Sequence, residues 1–404
     1  MISSTFFKRF YVVLWVMASL FCQSFLAHAT VELDASHKDI VSQGPEKKEE
    51  NLLDLSASTA YLLDAQTGDV LFSKNGEAPI SPSSMSKVMT VYLVFEKLKN
   101  GSLTLDTTFP VSEKAWRMQG SKMFVDLGSQ IRLEDLLRGI IVQSGNDACI
   151  VVAEALAGTE ENFARHLTKR AHELGATSSH FTNSTGWEDP NHKMTARDIA
   201  LIALRTIQDF PEYYAYYSEI DFTYNGIKQG NRNPLLYKNM GCDGLKTGHT
   251  DDGGFGLVAS VVREGRRLIM VINGCPSMKD RAKDSETLIN WGFREFENVI
   301  LAQPKHVIEV VPVWMGKTNE VGLYSQEGII VTLRSLEKDK VKGTLSYETP
   351  LKAPIMQGDV IGEMRVTLPN GEIKTFPLRA DRTIEELGFF GKLWFKIKSF
   401  IPGL

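Results

Sequence analysis

Ser84 and Lys87 stand three residues apart in the run Pro82-Ser83-Ser84-Met85-Ser86-Lys87. On a helix, side chains at that spacing share one face about one turn apart. Val88, Met89, Val91, Tyr92, Leu93, Val94, Phe95 and Leu98 follow, apolar nearly all round, so the helix is expected to be buried. A lysine at the mouth of a buried helix loses hydration, and this lowers its pKa. A neutral lysine accepts the proton of a serine hydroxyl, which makes the pair a nucleophile and its base. The spacing alone is common, so the rest of the chain has to decide whether it carries chemistry.

Two further short motifs come in order, Ser144-Gly145-Asn146 and Lys246-Thr247-Gly248. Alone, the first is an ordinary turn before a helix and the second an ordinary strand end. Together with Ser84 and Lys87 they put hydroxyls, amines and an amide on a helix, a loop and a strand edge. Cys149 and Cys242 lie close in sequence to two of these motifs, and both read as packing residues. No Cys-x-x-Cys pair or partnered histidines are present, so no metal site is expected. A net charge of -4 argues against a nucleic-acid partner.

The elements that must position these residues follow from pattern. Ala60–Asp64 and Val70–Phe72 flank a Gly-containing turn and predict a β-hairpin. Helices are expected over 133–142, 148–157, 162–174, 195–209 and 282–296, and Gly120 to Phe124 as a loop and strand. Strands are expected near 220–224, 256–262 and 268–272. Strands, then helices, then strands predict an α+β layout in which the late strands pair with the first hairpin.

Length allows more than one domain at 404 residues. Lys8 and Arg9, the apolar run 11–26 and Ala27-His28-Ala29 form a secretory signal peptide over 1–29. Residues 30–55 read as a polar leader without fixed structure. Residues 56–303 hold the motifs. Residues 304–380 change to short strands separated by turns, a small β-sandwich domain. In 381–404, Phe389, Phe390, Leu393, Trp394, Ile397, Phe400 and Ile401 fall at helical spacing beside Lys392, Lys396 and Lys398. That tail is too short and charged to span a bilayer, and reads as an amphipathic helix on a membrane surface.

The three motifs in this order resemble those of the active-site serine penicillin-recognising enzymes. The likeness extends to Asp243–Thr250, Gln229–Asn233, Thr195–Asp198 and Asn290–Arg294, and covers 56–404. Those stretches resemble the low-molecular-mass D-alanyl-D-alanine carboxypeptidases. The resemblance implies a two-lobed transpeptidase-like catalytic domain and a peptidoglycan stem peptide as substrate, with β-lactam antibiotics as covalent inhibitors and no cofactor. It implies Ser84 as nucleophile and Lys87 as base, neutral through burial and the neighbouring cation Lys246. Ser144 would bridge the two lysines and relay the proton, and Asn146 would hold the substrate's amide side. Thr247 and Arg232 would bind the terminal carboxylate. The backbone N–H groups of Ser84 and His249, the latter just after Gly248, would form the oxyanion hole. Gly120 and His192 are secondary candidates, each with an ordinary structural reading as a turn glycine or packed histidine. Endopeptidase activity on cross-links is open to the same site and is not separated by the motifs, and two rivals stand beside this reading. A β-lactamase would show Ser-Asp-Asn and a Glu-x-x-Leu-Asn loop, which this chain lacks. A non-catalytic wall-binding protein would not need every motif residue.

Overall fold

The computed structural model describes residues 27–34 and 53–400. The signal peptide up to residue 26, and the leader over 35–52, lie outside the described residues. The chain divides into two compact units, with the division between Glu297 and Asn298.

The first unit is built on a five-stranded antiparallel sheet. Its order is Val70–Lys74, Thr59–Asp64, Arg266–Cys275, Gly254–Arg263, Cys242–Thr250. The first two strands are the expected hairpin, and the late strands pair with it, Val271 opposite Tyr61. Successive strand side chains point to opposite faces. Leu268, Met270 and Ile272 therefore join one core with Leu288, Ile289 and Trp291 of the helix Met278–Glu295. Ile269 and Val271 join the other core, with the helical lobe.

That lobe contains the helices Lys87–Lys99, Leu133–Ile141, Asn146–Ala157, Glu160–Glu173 and Ala196–Asp209. Lys87–Lys99 runs through its middle, with Val88, Met89, Val91, Tyr92, Val94 and Phe95 all buried, as a helix apolar on every side must be. Its two buried hydroxyls are satisfied, Thr90 donating to Ser184 O and Tyr92 to Asp209 Oδ2, each at 2.7 Å. Three helices begin earlier than the apolar spacing indicates: Asn146–Ala157 opens directly from the motif turn, and caps fix the starts of the other two. Thr159 accepts from Asn162 N ahead of Glu160, and Ser277 accepts from Asp280 N ahead of Met278. The strand expected at Met123-Phe124 is a loop instead. Its N–H groups go to a side chain, Asp147, and not to a neighbouring strand.

The second unit is all-β. Its larger sheet orders Ala27–Asp34, Lys342–Thr349, Val360–Thr367, Ile373–Ala380, Glu320–Tyr324, Val307–Trp314 and Leu351–Lys352. Phe296–Ala302 pairs with Ile329–Arg334 in a second, two-stranded sheet, so the strand structure starts ahead of Pro304. The leader enters this unit, with Val31 opposite Leu345. Its apolar–polar alternation from Val31 to Asp34 is a strand period that composition alone conceals. Residues 381–388 also pack here. Ile384 is buried and exchanges backbone hydrogen bonds with Ile355, so the tail helix begins only at Phe389.

Candidate active site

The turn Ser83–Ser86 feeds directly into the buried helix, leaving Ser84 half-buried and Lys87 completely enclosed. Lys87 Nζ lies 2.7 Å from Ser84 Oγ, 2.8 Å from Asn146 Oδ1 and 2.6 Å from the carbonyl oxygen of Thr185. The two carbonyl oxygens can only accept, whereas the serine hydroxyl can donate. A neutral amine has two N–H groups and one lone pair. It fills this site by donating to Asn146 and Thr185 and presenting its lone pair to Ser84. Burial pulls Lys87 from 10.5 to about 8; Arg232 adds to the fall, and Cys149 and Asp147 oppose it.

Ser144 and Asn146 sit on the tight turn between two lobe helices, both buried, with Ser144 at φ 62. The partners of Lys87 Nζ are Ser84, Asn146 and Thr185, so the expected bridge from Ser144 to this lysine is not among its hydrogen bonds. Asn146 is fixed at three points: Nδ2 donates to Gln119 O, its backbone N–H donates to Ser121 O, and Oδ1 accepts from Lys87.

Opposite stands Cys242–Thr250, the terminal strand of the sheet, carrying Lys246, Thr247, Gly248 and His249. A Cβ at Gly248 would fall 2.1 Å from Ser83 Oγ and 3.0 Å from Pro82 O, so only glycine lets this strand close on the serine turn. Lys246 is buried, and its Nζ contacts the carbonyl of Thr247 at 3.4 Å. Burial, then the charges of Lys87 and Arg232, hold it well below the ordinary lysine range. Arg232 is exposed at the cleft mouth and donates to Ser121 Oγ at 2.6 Å. Arg281, buried, donates to the carbonyl of Arg232 at 3.3 Å. Among the described residues none of Lys87, Lys246, Arg232 and Arg281 pairs with a carboxylate. With both lysines pushed toward their neutral forms, the charge left unpaired here is that of the guanidinium groups of Arg232 and Arg281, and it suits an anion.

A cavity of about 300 Å³ opens over the serine, lined among others by Ser84, Ser121, Asn146, Trp187, His249 and Asp251. A larger one, about 980 Å³, lies in the second unit, but it joins no nucleophile to a buried base. Gly120 sits at the rim of the smaller cavity, against Trp187 and Asn146. His192 is a clamp on the serine turn. Thr182 N donates to its Nδ1, which leaves Nε2 to donate to Ser86 Oγ at 2.9 Å, and burial lowers its pKa to about 4. Cys149, Cys242 and Cys275 are free thiols. Sequence reasoning missed Thr185, Arg281 and Asp147. Asp147 had one signal, an acid in the first turn of a helix, but nothing local shows whom it holds.

A half-buried serine with an enclosed amine as its base, in this α+β fold, defines a serine acyl-transfer enzyme. Residues 45–277 match the family described as D-alanyl-D-alanine carboxypeptidase, and residues 296–386 match the C-terminal domain of penicillin-binding protein 5. The chain belongs to the D-alanyl-D-alanine carboxypeptidase family. It is 37% identical to the D-alanyl-D-alanine carboxypeptidase DacA of Haemophilus influenzae, over 87% of this chain and 91% of that protein. To DacC of Escherichia coli it is 38% identical, over 84% of this chain and 87% of that protein. The crystal structure of penicillin-binding protein 5 from Haemophilus influenzae superposes with a TM-score of 0.77 at 36% identity, covering 83% of this chain and 99% of that one.

Proposed function

We propose that this chain is a serine D-Ala-D-Ala carboxypeptidase that removes the terminal D-alanine from peptidoglycan stem pentapeptides. The observation that carries the reading is the environment of Lys87, two carbonyl acceptors and one hydroxyl around an enclosed amine. Lys87 takes the Ser84 proton as Ser84 Oγ attacks the carbonyl between the two terminal D-alanines. The backbone N–H groups of Ser84 and His249 receive the developing oxyanion. Lys87 then gives the proton up toward the leaving D-alanine amine, with Ser144 as the relay once substrate is bound, since Ser144 is not hydrogen-bonded to Lys87 before that. Asn146 holds the substrate's amide side. Lys246, Thr247 and Arg232 take the terminal carboxylate, with Arg281 behind Arg232. The strand carrying Gly248 is an open sheet edge, on which substrate backbone can lie as an added strand. Water then hydrolyses the acyl-enzyme. β-Lactams acylate the same serine.

The site of action in this reading is the periplasmic face of the bacterial cytoplasmic membrane, with the tail helix on the membrane surface. The test pairs product analysis with labelling. Purified protein should release D-alanine from a stem pentapeptide and take up a fluorescent penicillin, and Ser84→Ala should abolish both while Cys149→Ala keeps both. Label persisting in Ser84→Ala overturns the nucleophile. Rapid penicillin turnover with no D-alanine release favours the β-lactamase reading.

A further inference from the structure

Asp147 follows the Ser144-Gly145-Asn146 turn and is completely buried. Among the described residues no cation pairs with it; backbone amides do. Oδ1 accepts the N–H groups of Met123 at 2.9 Å and Ala148 at 3.0 Å. Oδ2 accepts those of Phe124 at 2.9 Å and Val125 at 3.2 Å. Consecutive amides of the 119–126 loop therefore converge on one carboxylate, an anion nest filled by the protein's own side chain. Phe124 lies at φ 67, a left-handed conformation that a non-glycine residue keeps only where its surroundings enforce it. Gly145 makes room for the arrangement, since a Cβ there would fall 2.9 Å from Asp147 Oδ1 and 3.1 Å from Met123 N.

The same loop supplies three contacts to the site. Gln119 O and Ser121 O hold Asn146, and Ser121 Oγ holds Arg232. From the other side the hairpin Asp221–Gly230 straps it, Gln229 Nε2 donating to Lys122 O at 2.9 Å and Asn225 Nδ2 to Phe124 O at 3.0 Å. We propose that Asp147 is a positioning residue: its carboxylate pins this loop, and through Gln119 and Ser121 it sets Asn146 and Arg232 against the substrate. The proposal rests on the carboxypeptidase reading for its kinetic consequence, but not for its structural one.

Asp147→Asn preserves shape but turns one oxygen into an NH₂ group. Each oxygen holds two N–H groups, so in either amide orientation two of them face a donor, and the loop loses its hold. Steady-state kinetics on an N-acyl-D-Ala-D-Ala peptide, well below the melting temperature, should show kcat/KM reduced about tenfold or more, mainly through KM. Hydrogen exchange at Met123, Phe124 and Val125 should accelerate while exchange in the Lys87–Lys99 helix stays slow. KM within about twofold of wild type, or a loss that tracks global unfolding alone, overturns the proposal. If Asp147→Asn does not fold, Ser121→Ala carries the test: raised KM with kcat retained supports the relay to Arg232, and unchanged KM overturns it. Wild-type protein that neither labels with penicillin nor releases D-alanine sinks the carboxypeptidase reading instead. The exchange measurement then decides the loop's dependence on Asp147 by itself.

Discussion

Lys87 must lose a proton before it can take one from Ser84. With its pKa lowered to about 8, the acylation rate should rise with pH through about 8 and level off above it. A flat profile between pH 6 and 9 in stopped-flow penicillin acylation contradicts Lys87 as the base. The same shift acts on stability. The unfolded chain keeps this lysine near 10.5, so between about 8 and 10.5 the unfolded state binds more protons, and this group makes folding more favourable as pH rises there. Lys246 is a second buried amine, held low by burial and then by the charge of Lys87. Lys246→Gln removes this amine from the proposed carboxylate site, so KM for an N-acyl-D-Ala-D-Ala peptide should rise. An unchanged KM in steady-state kinetics denies Lys246 that role. Ser84 and Lys87 were legible because a local helix period places them together. Thr185 was not, because it meets Lys87 through a backbone carbonyl from 98 residues away in the chain. Arg281 and Asp147 were equally hidden, since their partners are main-chain atoms that leave no mark on residue type.

At the scale of elements, the pattern of apolar residues was readable wherever burial is one-sided or complete. The continuous apolar run 268–272 and the nearly all-round apolarity of 88–98 each marked a buried element, while the two cores that 268–272 serves appear only in the fold. Ends were less readable, because Thr159 and Ser277 extend their helices beyond the apolar run. The 119–126 loop could not be read, because its backbone groups are satisfied by a side chain far along the chain. One contact between elements bears directly on activity. The strand Cys242–Thr250 meets the serine turn at Gly248, where a methyl group would overlap Ser83 Oγ and press on Pro82 O. Relief requires the strand to retreat, which moves Thr247 and the His249 N–H away from Ser84. Gly248→Ala should therefore cost about 1–3 kcal/mol of stability through overpacking. It should slow penicillin acylation about a hundredfold, since small misplacements at a reacting centre are expensive. Acylation at the wild-type rate in this variant, measured beside its melting temperature, shows that the close approach is dispensable.

For the whole molecule, the two units follow from a change in pattern near residue 300, but their edges depend on pairings the sequence does not display. The strand Phe296–Ala302 reaches ahead of Pro304 to pair with Ile329–Arg334, and residues 381–388 stay with the β unit through Ile384 and Leu387. The second edge matters for the membrane proposal. No described helix is long and apolar enough to cross a membrane. In the tail helix Phe389, Phe390, Leu393 and Trp394 are largely exposed, beside Lys392, which pairs with Glu386. Fully burying one such side chain is worth about 1.5–3 kcal/mol, so several inserted together suffice for reversible attachment to a lipid surface. A cut at residue 384 removes Ile384 from the β core and confuses unfolding with release. A stop after Gly388 leaves that core whole. The shortened protein should keep its melting temperature and its penicillin labelling while ceasing to sediment with anionic lipid vesicles. Phe390→Ser with Trp394→Ser should weaken sedimentation in the same direction. Undiminished sedimentation of the shortened protein would place the membrane contact elsewhere in the chain.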